Sequence, residues 1–448
     1  MRDAKRRLRL MLFSAVFQHS YHSHAKNILR SCLAMPKMNH IFRLNQPDHV
    51  RPSAKRFELT IIEALRTFTL GGRPGFGEFQ TLLSSVPIKV GGLGISLPTQ
   101  VVEYAHLAAL LESRDLSHDL FPKLADLANM AVPLLADSFK SNILPEDHDE
   151  FHSLVTFGSH KIQSQCGAFM HKLVRSRLLQ HPYLRDESAD YFQEHLRFLE
   201  SDGEKSSLSS SWLLALPQVS VSQYMPNGAL HSVLHLRLHV PFFDVDQECT
   251  HCEGVLDRFG FHALACRGPH NNCHLRHEMV AKAVHYLALN AGFRATLNAK
   301  LHCLSSLRSD ARSLRPADIL IAGDSYRSTC IDVTIPSPVC KSNMTHRTGE
   351  IVNIRAKEKL AKYLVVCTAH NLGFSPFVID CCGVLHSEAW KLLQRFASSH
   401  TDQSSRPYSY CIAICRRRIS FSLHNGLALQ LYPLLDHLDE PMRQVVSS

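Results

Sequence analysis

The chain has 448 residues, more than one ordinary hydrophobic core accommodates, so two or three domains are expected. Its hydrophobic fraction of 45% and charged fraction of 20% are typical of globular proteins and exclude a largely disordered chain. Lysine and arginine exceed aspartate and glutamate by nine, which favours a polyanionic partner but fits a merely basic protein equally well. The sequence contains no apolar run of the roughly 20 residues that span a bilayer, so no membrane partner is expected. Fourteen cysteines without a convincing secretion signal indicate an intracellular protein with reduced thiols.

The N-terminal half of the chain is predicted to be helical. The start, "MRDAKRRLRLMLFSAVF", favours an amphipathic helix over a targeting peptide, with Leu8, Met11, Leu12 and Ala15 on one face. Apolar residues at helical spacing continue in "FELTIIEALRTFTL", "QVVEYAHLAALLES" and "KIQSQCGAFMHKLVRSRLL". Between helices, "GGLG" predicts a turn, since it matches neither phosphate-binding glycine motif. The serine-rich segment "SDGEKSSLSSS", residues 201–211, predicts a linker.

The C-terminal third of the chain has a different pattern. A predicted helix, 276–292, ends at a glycine, and the short run "FRATLNAKLHC" follows it as a possible strand. Apolar β-rich runs at 317–323, 329–336 and 374–380 predict strands, and two further helical segments flank the last of them. The resulting order, α-β-β-β-α-β-α, predicts an α/β domain of ordinary size.

A cysteine and histidine motif lies between the two halves, in "CTHCEGVLDRFGFHALAC". Cys249, Cys252, His262 and Cys266 form a set of four ligands at the spacing that tetrahedral zinc requires. Because all four positions are filled by protein, the site is predicted to be structural rather than catalytic. The alternative is three buried cysteines and a core histidine. Four neighbouring residues could replace His262 as a ligand: His251, His270, Cys273 and His274.

Two aspartates in the predicted strands are the candidates for catalysis. Asp318 begins one strand and Asp332 lies inside the next, so a tight turn between the strands would bring both carboxylates together. Paired carboxylates bind Mg²⁺, a hard cation that prefers oxygen ligands, and such a metal can activate water for attack on a phosphodiester. One aspartate among apolar strand residues is unusual, and two in adjacent strands are more so.

A lysine-rich helix would supply the third element of such a site. Lys359, Lys362 and Tyr363 lie at i, i+3 and i+4 and therefore share one helix face. That face could be directed at the carboxylates if the helix packs on the sheet. The alternative is that Glu358 and Lys362 form an ordinary ion pair on a solvated helix.

These motifs together resemble the restriction-like endonuclease of site-specific non-LTR retrotransposons. The shared order is a CCHC zinc motif, an Arg-His pair, "RPAD", "DVT" and "KLAKY". The resemblance implies a PD-(D/E)xK fold in which Asp318 and Asp332 bind Mg²⁺, with Lys359, or else Lys362, as catalytic lysine beside Tyr363. It also implies that Arg276 and His277 lie near DNA. The chain departs from most of that superfamily at Thr334, where a lysine is usual; the retrotransposon branch carries its lysine on the helix.

The first half resembles the thumb and connector of the same reverse transcriptases. The resemblance rests on "LAMPKMNHIFR" and "SSVPIKVGGLGIS", and the Asp-Asp dipeptide of the polymerase palm is absent from the sequence. The chain is therefore expected to be the C-terminal part of an element protein that does not polymerise by itself.

The expected fold class is α plus α/β: a mostly helical N-terminal half, a zinc knuckle, and a nuclease domain with a central mixed sheet flanked by helices. The predicted regions are a thumb-like helical region over 1–130, a connector over 131–240, the knuckle over 241–275, the nuclease over 276–400 and a helical tail over 401–448.

The expected function is Mg²⁺-dependent nicking of target DNA that primes reverse transcription. The expected partners are DNA and the RNA of the parent element, the expected location is the nucleus, and no small-molecule cofactor is expected. Two alternatives remain: an inactive zinc protein or element remnant that binds nucleic acid, and an intracellular zinc scaffold for protein partners.

Overall fold

The computed structural model describes residues 29–71, 75–159, 161–185, 192–203, 207–215, 223–266, 268, 273–299, 317–324 and 327–436. The predicted helix containing Leu8, Met11, Leu12 and Ala15 lies outside these residues, as does His270. The chain divides into two compact units, Met1–Ile88 with Gly92–Asp190, and Lys89–Gly91 with Tyr191–Ser448. Among the described residues, no helix combines the length and the apolar composition needed to cross a membrane.

The first unit is helical, as predicted. Its helices are α1 (Met35–Leu44), α2 (Pro47–Leu70), α3 (Glu78–Ser85), α4 (Pro98–Glu112), α5 (Arg114–Leu120), α6 (Pro122–Lys140), α7 (His148–Phe157) and α8 (Ile162–Gln180). Proline occupies the first or second position of α1, α2, α4 and α6, where its missing N–H costs nothing. The core is aromatic: the Phe151 ring packs edge-on against Phe139 and Phe169, at 5.3 and 6.1 Å between ring centres.

The second unit combines helices with two small sheets. Its helices are α9 (Phe192–Gly203), α10 (Asn227–Arg237), α11 (Cys273–Asn290), α12 (Glu350–Ala369), α13 (Ser387–Ser404), α14 (Tyr408–Leu431) and α15 (Pro433–Asp436). Its strands are β1 (Gln247–Glu248), β2 (Val255–Leu256), β3 (Arg294–Leu297), β4 (Ile319–Asp324), β5 (Arg327–Thr334) and β6 (Gly373–Val378). From α11 to α13 the order is α-β-β-β-α-β-α, which confirms the predicted order in the described part of the chain.

The four-stranded sheet is mixed and has the order β3-β4-β5-β6. The pairs β3/β4 and β4/β5 are antiparallel, whereas β5 and β6 are parallel and are joined through α12. On one face, Tyr363 and Cys367 of α12 pack against Cys330 of β5 and Ala317. Helices α11 and α13 also pack against the sheet, and α14 packs against both of them. The described chain is thus mostly helical with one small mixed sheet.

Two segments of the second unit are more deeply buried than their predicted roles suggested. The segment 207–211 is not an exposed linker: Leu208 is fully buried, and Ser207 forms a β-bridge with Val384. The Ser420 hydroxyl donates to the Leu208 carbonyl, which fixes the segment against α14. Helix α14 lies in the predicted C-terminal helical region, and its apolar face is buried in the second unit. Serine-rich composition was misleading because the backbone of the segment 207–211 finds buried hydrogen-bond partners.

Candidate functional site

The cysteine and histidine motif forms a tight metal-binding loop. Strands β1 and β2 pair as a short hairpin, and Cys249 and Cys252 lie in the turn between them. Backbone N–H groups of His251 and Gly254 donate to the Sγ atoms of Cys249 and Cys252, at 3.4 and 3.3 Å. Burial raises the pKa of the Cys249 thiol, but hydrogen bonds from the backbone N–H groups of His251 and Cys252 and from the side chains of Cys252 and Cys266 outweigh it, so the pKa lies below its ordinary value. The turn therefore favours the thiolate that binds metal.

The four predicted ligands lie close together. Their ligand atoms are all within 4.8 Å of one another. Cys249 Sγ is 3.8 Å from Cys266 Sγ, and Cys252 Sγ is 3.3 Å from His262 Nε2. Zinc–sulfur bonds of about 2.3 Å at tetrahedral angles separate two sulfur atoms by about 3.8 Å. The cluster could therefore hold a metal ion such as zinc.

Among the described alternatives, His251, Cys273 and His274 are not members of this cluster. The backbone of His262, the fourth member, is held by the Asp257 carboxylate, which the sequence analysis missed. Asp257 is buried and accepts backbone N–H groups from Phe259, Phe261 and His262, at 3.0, 3.0 and 2.5 Å. Its position in the loop "LDRFGF" is the usual one for such a turn, so that local signal could have found it.

The two candidate aspartates are neighbours across β4 and β5. Ile319 pairs with Ile331, so Asp318, directly before β4, and Asp332 of β5 both adjoin this pair, and the Asp318 N–H donates to the Ile331 carbonyl at 3.0 Å. The Asp318 carboxylate accepts a hydrogen bond from the N–H of Val333, the residue after Asp332. Asp332 is almost fully buried, whereas the Asp318 side chain is 23% exposed. The structure thus brings the two predicted carboxylates to one end of the sheet.

Lys359 completes this arrangement. Its Nζ lies 2.8 Å from Asp332 Oδ2, which also accepts a hydrogen bond from the Thr334 hydroxyl at 3.2 Å. Burial raises the pKa of Asp332 and the nearby charge of Asp318 raises it further, while Lys359 opposes both. A second cation at this position would relieve the repulsion between the carboxylates.

Lys362 and Tyr363 occupy different places on the same helix. Lys362 Nζ lies 4.9 Å from the centre of the Tyr363 ring, and the lysine is exposed to solvent. Tyr363 is buried, packs against Phe374 and lies beneath Lys359 Nζ at 5.6 Å. The geometry therefore favours Lys359 over Lys362 as the lysine of the site, with Tyr363 supporting it through packing and a cation–π contact.

His277 lies at the carboxylate site. Its Nε2 is 3.2 Å from Asp318 Oδ2 and 3.0 Å from the Val333 carbonyl oxygen, and both atoms can accept its proton. The Val333 N–H also donates to Asp318 Oδ2, at 2.7 Å. The hydrogen bond to Asp318 raises the pKa of His277 despite partial burial. His277 thus contacts a candidate metal ligand directly.

Arg276 does not face solvent, which corrects its assignment as a nucleic-acid-binding residue. Its side chain is buried with 4% relative exposure, and burial lowers its pKa. Its guanidinium donates to the Leu264 and Ile335 carbonyls, each at 3.4 Å, and to the Gln430 side chain at 3.1 Å. The sequence pattern could not show this, because the three acceptors lie far from Arg276 in the chain.

Comparison with known proteins does not assign the chain to a family. No family model matches the chain, and no curated protein matches it. What can be said of its function comes from the motifs and from the geometry described above.

Proposed function

We propose that the second unit is a metal-dependent DNA endonuclease of the restriction-like, PD-(D/E)xK type. The observation that carries the proposal is the constellation at one end of the mixed sheet. Asp318 and Asp332 both adjoin the Ile319–Ile331 pair of β4 and β5, and Lys359 Nζ is 2.8 Å from Asp332. Two carboxylates at the end of a sheet and a lysine from a helix packed on it are the functional groups that phosphodiester hydrolysis with a divalent cation requires.

In this proposal Asp318 and Asp332 would hold Mg²⁺, and the ion would supply polarisation of the scissile phosphate and a lower pKa for the attacking water. Lys359, released from Asp332, would stabilise charge that develops on the phosphate oxygens. His277 holds Asp318 in place through its Nε2 hydrogen bond, and the Val333 N–H fixes the same oxygen. The Cys249–Cys266 loop would carry zinc in a structural role.

The substrate proposed is double-stranded DNA, nicked to expose a 3′ hydroxyl that primes reverse transcription. The basic balance of the chain suits phosphate contacts, which position a protein on DNA without reading its sequence. Thumb and connector roles for the helical first unit, element RNA as a second partner and action in the nucleus belong to the same proposal. They rest on the motif resemblance.

Plasmid nicking by the full chain with Mg²⁺ or Mn²⁺ tests this function. Asp318→Ala is expected to abolish nicking. Two lysines on α12 give a matched pair: Lys359→Ala should lower the rate by about 100-fold, as expected for loss of one transition-state contact. Lys357→Ala, an exposed lysine on the same helix, should leave the rate unchanged. If wild-type protein nicks plasmid no faster than Asp318→Ala does, the proposed endonuclease activity is refuted.

A second candidate is a catalytically inactive protein that binds nucleic acid through zinc and basic surface. The ion pair between Lys359 and Asp332 favours it, because an ammonium already neutralises the carboxylate that a metal must bind. This candidate predicts DNA binding that weakens steeply with salt, without any nicking.

A further inference from the structure

Arg276 joins three parts of the second unit that are distant in sequence. One guanidinium contacts the Leu264 carbonyl in the metal-binding loop, the Ile335 carbonyl after β5, and Gln430 on α14. Leu264 lies between the ligands His262 and Cys266. The arginine therefore bridges the loop that holds the metal ligands and the strand that carries a candidate catalytic carboxylate.

Gln430 fixes the arginine on its third side. Its Oε1 accepts from Arg276 Nη1 at 3.1 Å, and its Nε2 donates to the Ala263 carbonyl at 2.6 Å. The helix α14 approaches so closely that a Cβ added to Gly426 would lie 2.7 Å from Arg276 Cα. Helices α11 and α14 are therefore in close contact beside the Arg276–Gln430 hydrogen bond.

The buried charge of Arg276 makes each of its hydrogen bonds costly to lose. Within the described residues, the hydrogen bonds of its guanidinium go to two carbonyl oxygens and one amide oxygen, and no carboxylate pairs with it. A buried cation that loses a hydrogen-bond acceptor pays a large desolvation cost. If the Leu264 carbonyl moves, the guanidinium must therefore move with it to keep this hydrogen bond. Because the guanidinium also donates to the Ile335 carbonyl, the movement reaches the end of β5.

Ile335 directly follows Thr334, the last residue of β5, and lies three residues after Asp332. We propose that Arg276 and Gln430 are positioning residues that couple metal binding at the Cys249–Cys266 loop to the order of the β5 end. The consequence for catalysis, a better-ordered Asp332, rests on the proposed function. The coupling between loop and strand does not.

Hydrogen exchange on the full chain, read by mass spectrometry, tests the coupling without reference to activity. In wild-type protein, removing zinc with a chelator should speed exchange in 247–268 and also in 327–335, the latter by about tenfold or more. In Gln430→Leu, exchange in 327–335 should already be fast with zinc bound, and chelation should change it less than about twofold. Lys282→Ala, on the exposed side of α11, should behave like wild type.

Arg276→Lys keeps the charge but loses the planar donor fork, and it should reproduce the Gln430→Leu result. If that variant does not fold, Gln430→Leu and the wild-type chelation experiment still decide the matter. Chelation that speeds exchange in 247–268 while leaving 327–335 unchanged in wild-type protein overturns the coupling.

An activity readout separates the coupling from the proposed function. Gln430→Leu should raise the Mg²⁺ concentration for half-maximal nicking while leaving KM for DNA unchanged. Wild-type protein that shows the exchange coupling but no nicking refutes the endonuclease and leaves the positioning role intact. Wild-type protein that nicks DNA but shows no exchange coupling supports the endonuclease and refutes the positioning role.

Discussion

Replacing Lys359 with methionine removes the cation that lies 2.8 Å from the Asp332 carboxylate and keeps most of the side-chain volume. The Asp332 side chain is 6% exposed and the Lys359 side chain is 28% exposed. Losing one partner of a fully buried pair costs roughly 3–5 kcal/mol, and losing an exposed one costs less than about 1 kcal/mol. Because Lys359 is partly solvated, we expect a loss of about 2 kcal/mol in the free energy of unfolding at neutral pH.

The loss should depend on pH with a definite sign. Burial already raises the pKa of Asp332 above its unfolded value, and the variant lacks the lysine that opposes this rise. The folded variant therefore binds a proton that the unfolded chain releases, so its stability falls as pH rises through the raised pKa. The deficit relative to wild type should be smaller at about pH 5 than at about pH 8.

Urea denaturation without added Mg²⁺, at both pH values, measures this effect. Lys357→Met, at an exposed position of the same helix, is the control and should change stability by less than about 0.5 kcal/mol. Equal losses for the two variants, or a Lys359→Met deficit that does not change with pH, would refute the reasoning.

Three further predictions concern the metal loop and the histidine. Cys249→Ser should lower the zinc content of purified protein well below that of wild type, measured by plasma mass spectrometry. Gly254→Ala should weaken zinc binding by about tenfold in a chelator competition, since the added Cβ would lie 2.9 Å from His262 Cε1. His277→Gln should cost stability below about pH 6 and little above about pH 9, because Asp318 raises the histidine pKa and the protonated form is the stabilised one. In denaturation experiments the stability loss caused by His277→Gln should be larger at the lower pH, by less than about 1 kcal/mol. A larger loss at the higher pH would contradict the assigned hydrogen bond.

Local patterns in the sequence were sufficient to predict the helices and strands and to identify the candidate metal-binding and catalytic side chains. Apolar periodicity separates the helix Glu350–Ala369 from the strands Arg327–Thr334 and Gly373–Val378, because each has its own side-chain period. The spacing of Cys249 and Cys252 specifies a turn that the backbone closes by itself. Asp318 and Asp332 were identifiable because carboxylates are rare between buried strand residues.

Other features depend on contacts between residues distant in sequence. The choice between Lys359 and Lys362 required the direction of α12 on the sheet, since both lysines lie on one helix face. Similarly, residues 207–211 are polar in composition but buried, because Ser420 and Val384 supply partners for their backbone.

The sequence by itself determined the helical first half, the α/β order that follows, the four clustered metal ligands and the pair of aspartates. All of these are set by residues close together in the chain or by a repeating period. Only the tertiary structure decided that Arg276 is a buried bridge and not a surface contact. Its acceptors come from positions 264, 335 and 430, and no local rule of spacing relates an arginine to carbonyl groups brought to it by folding.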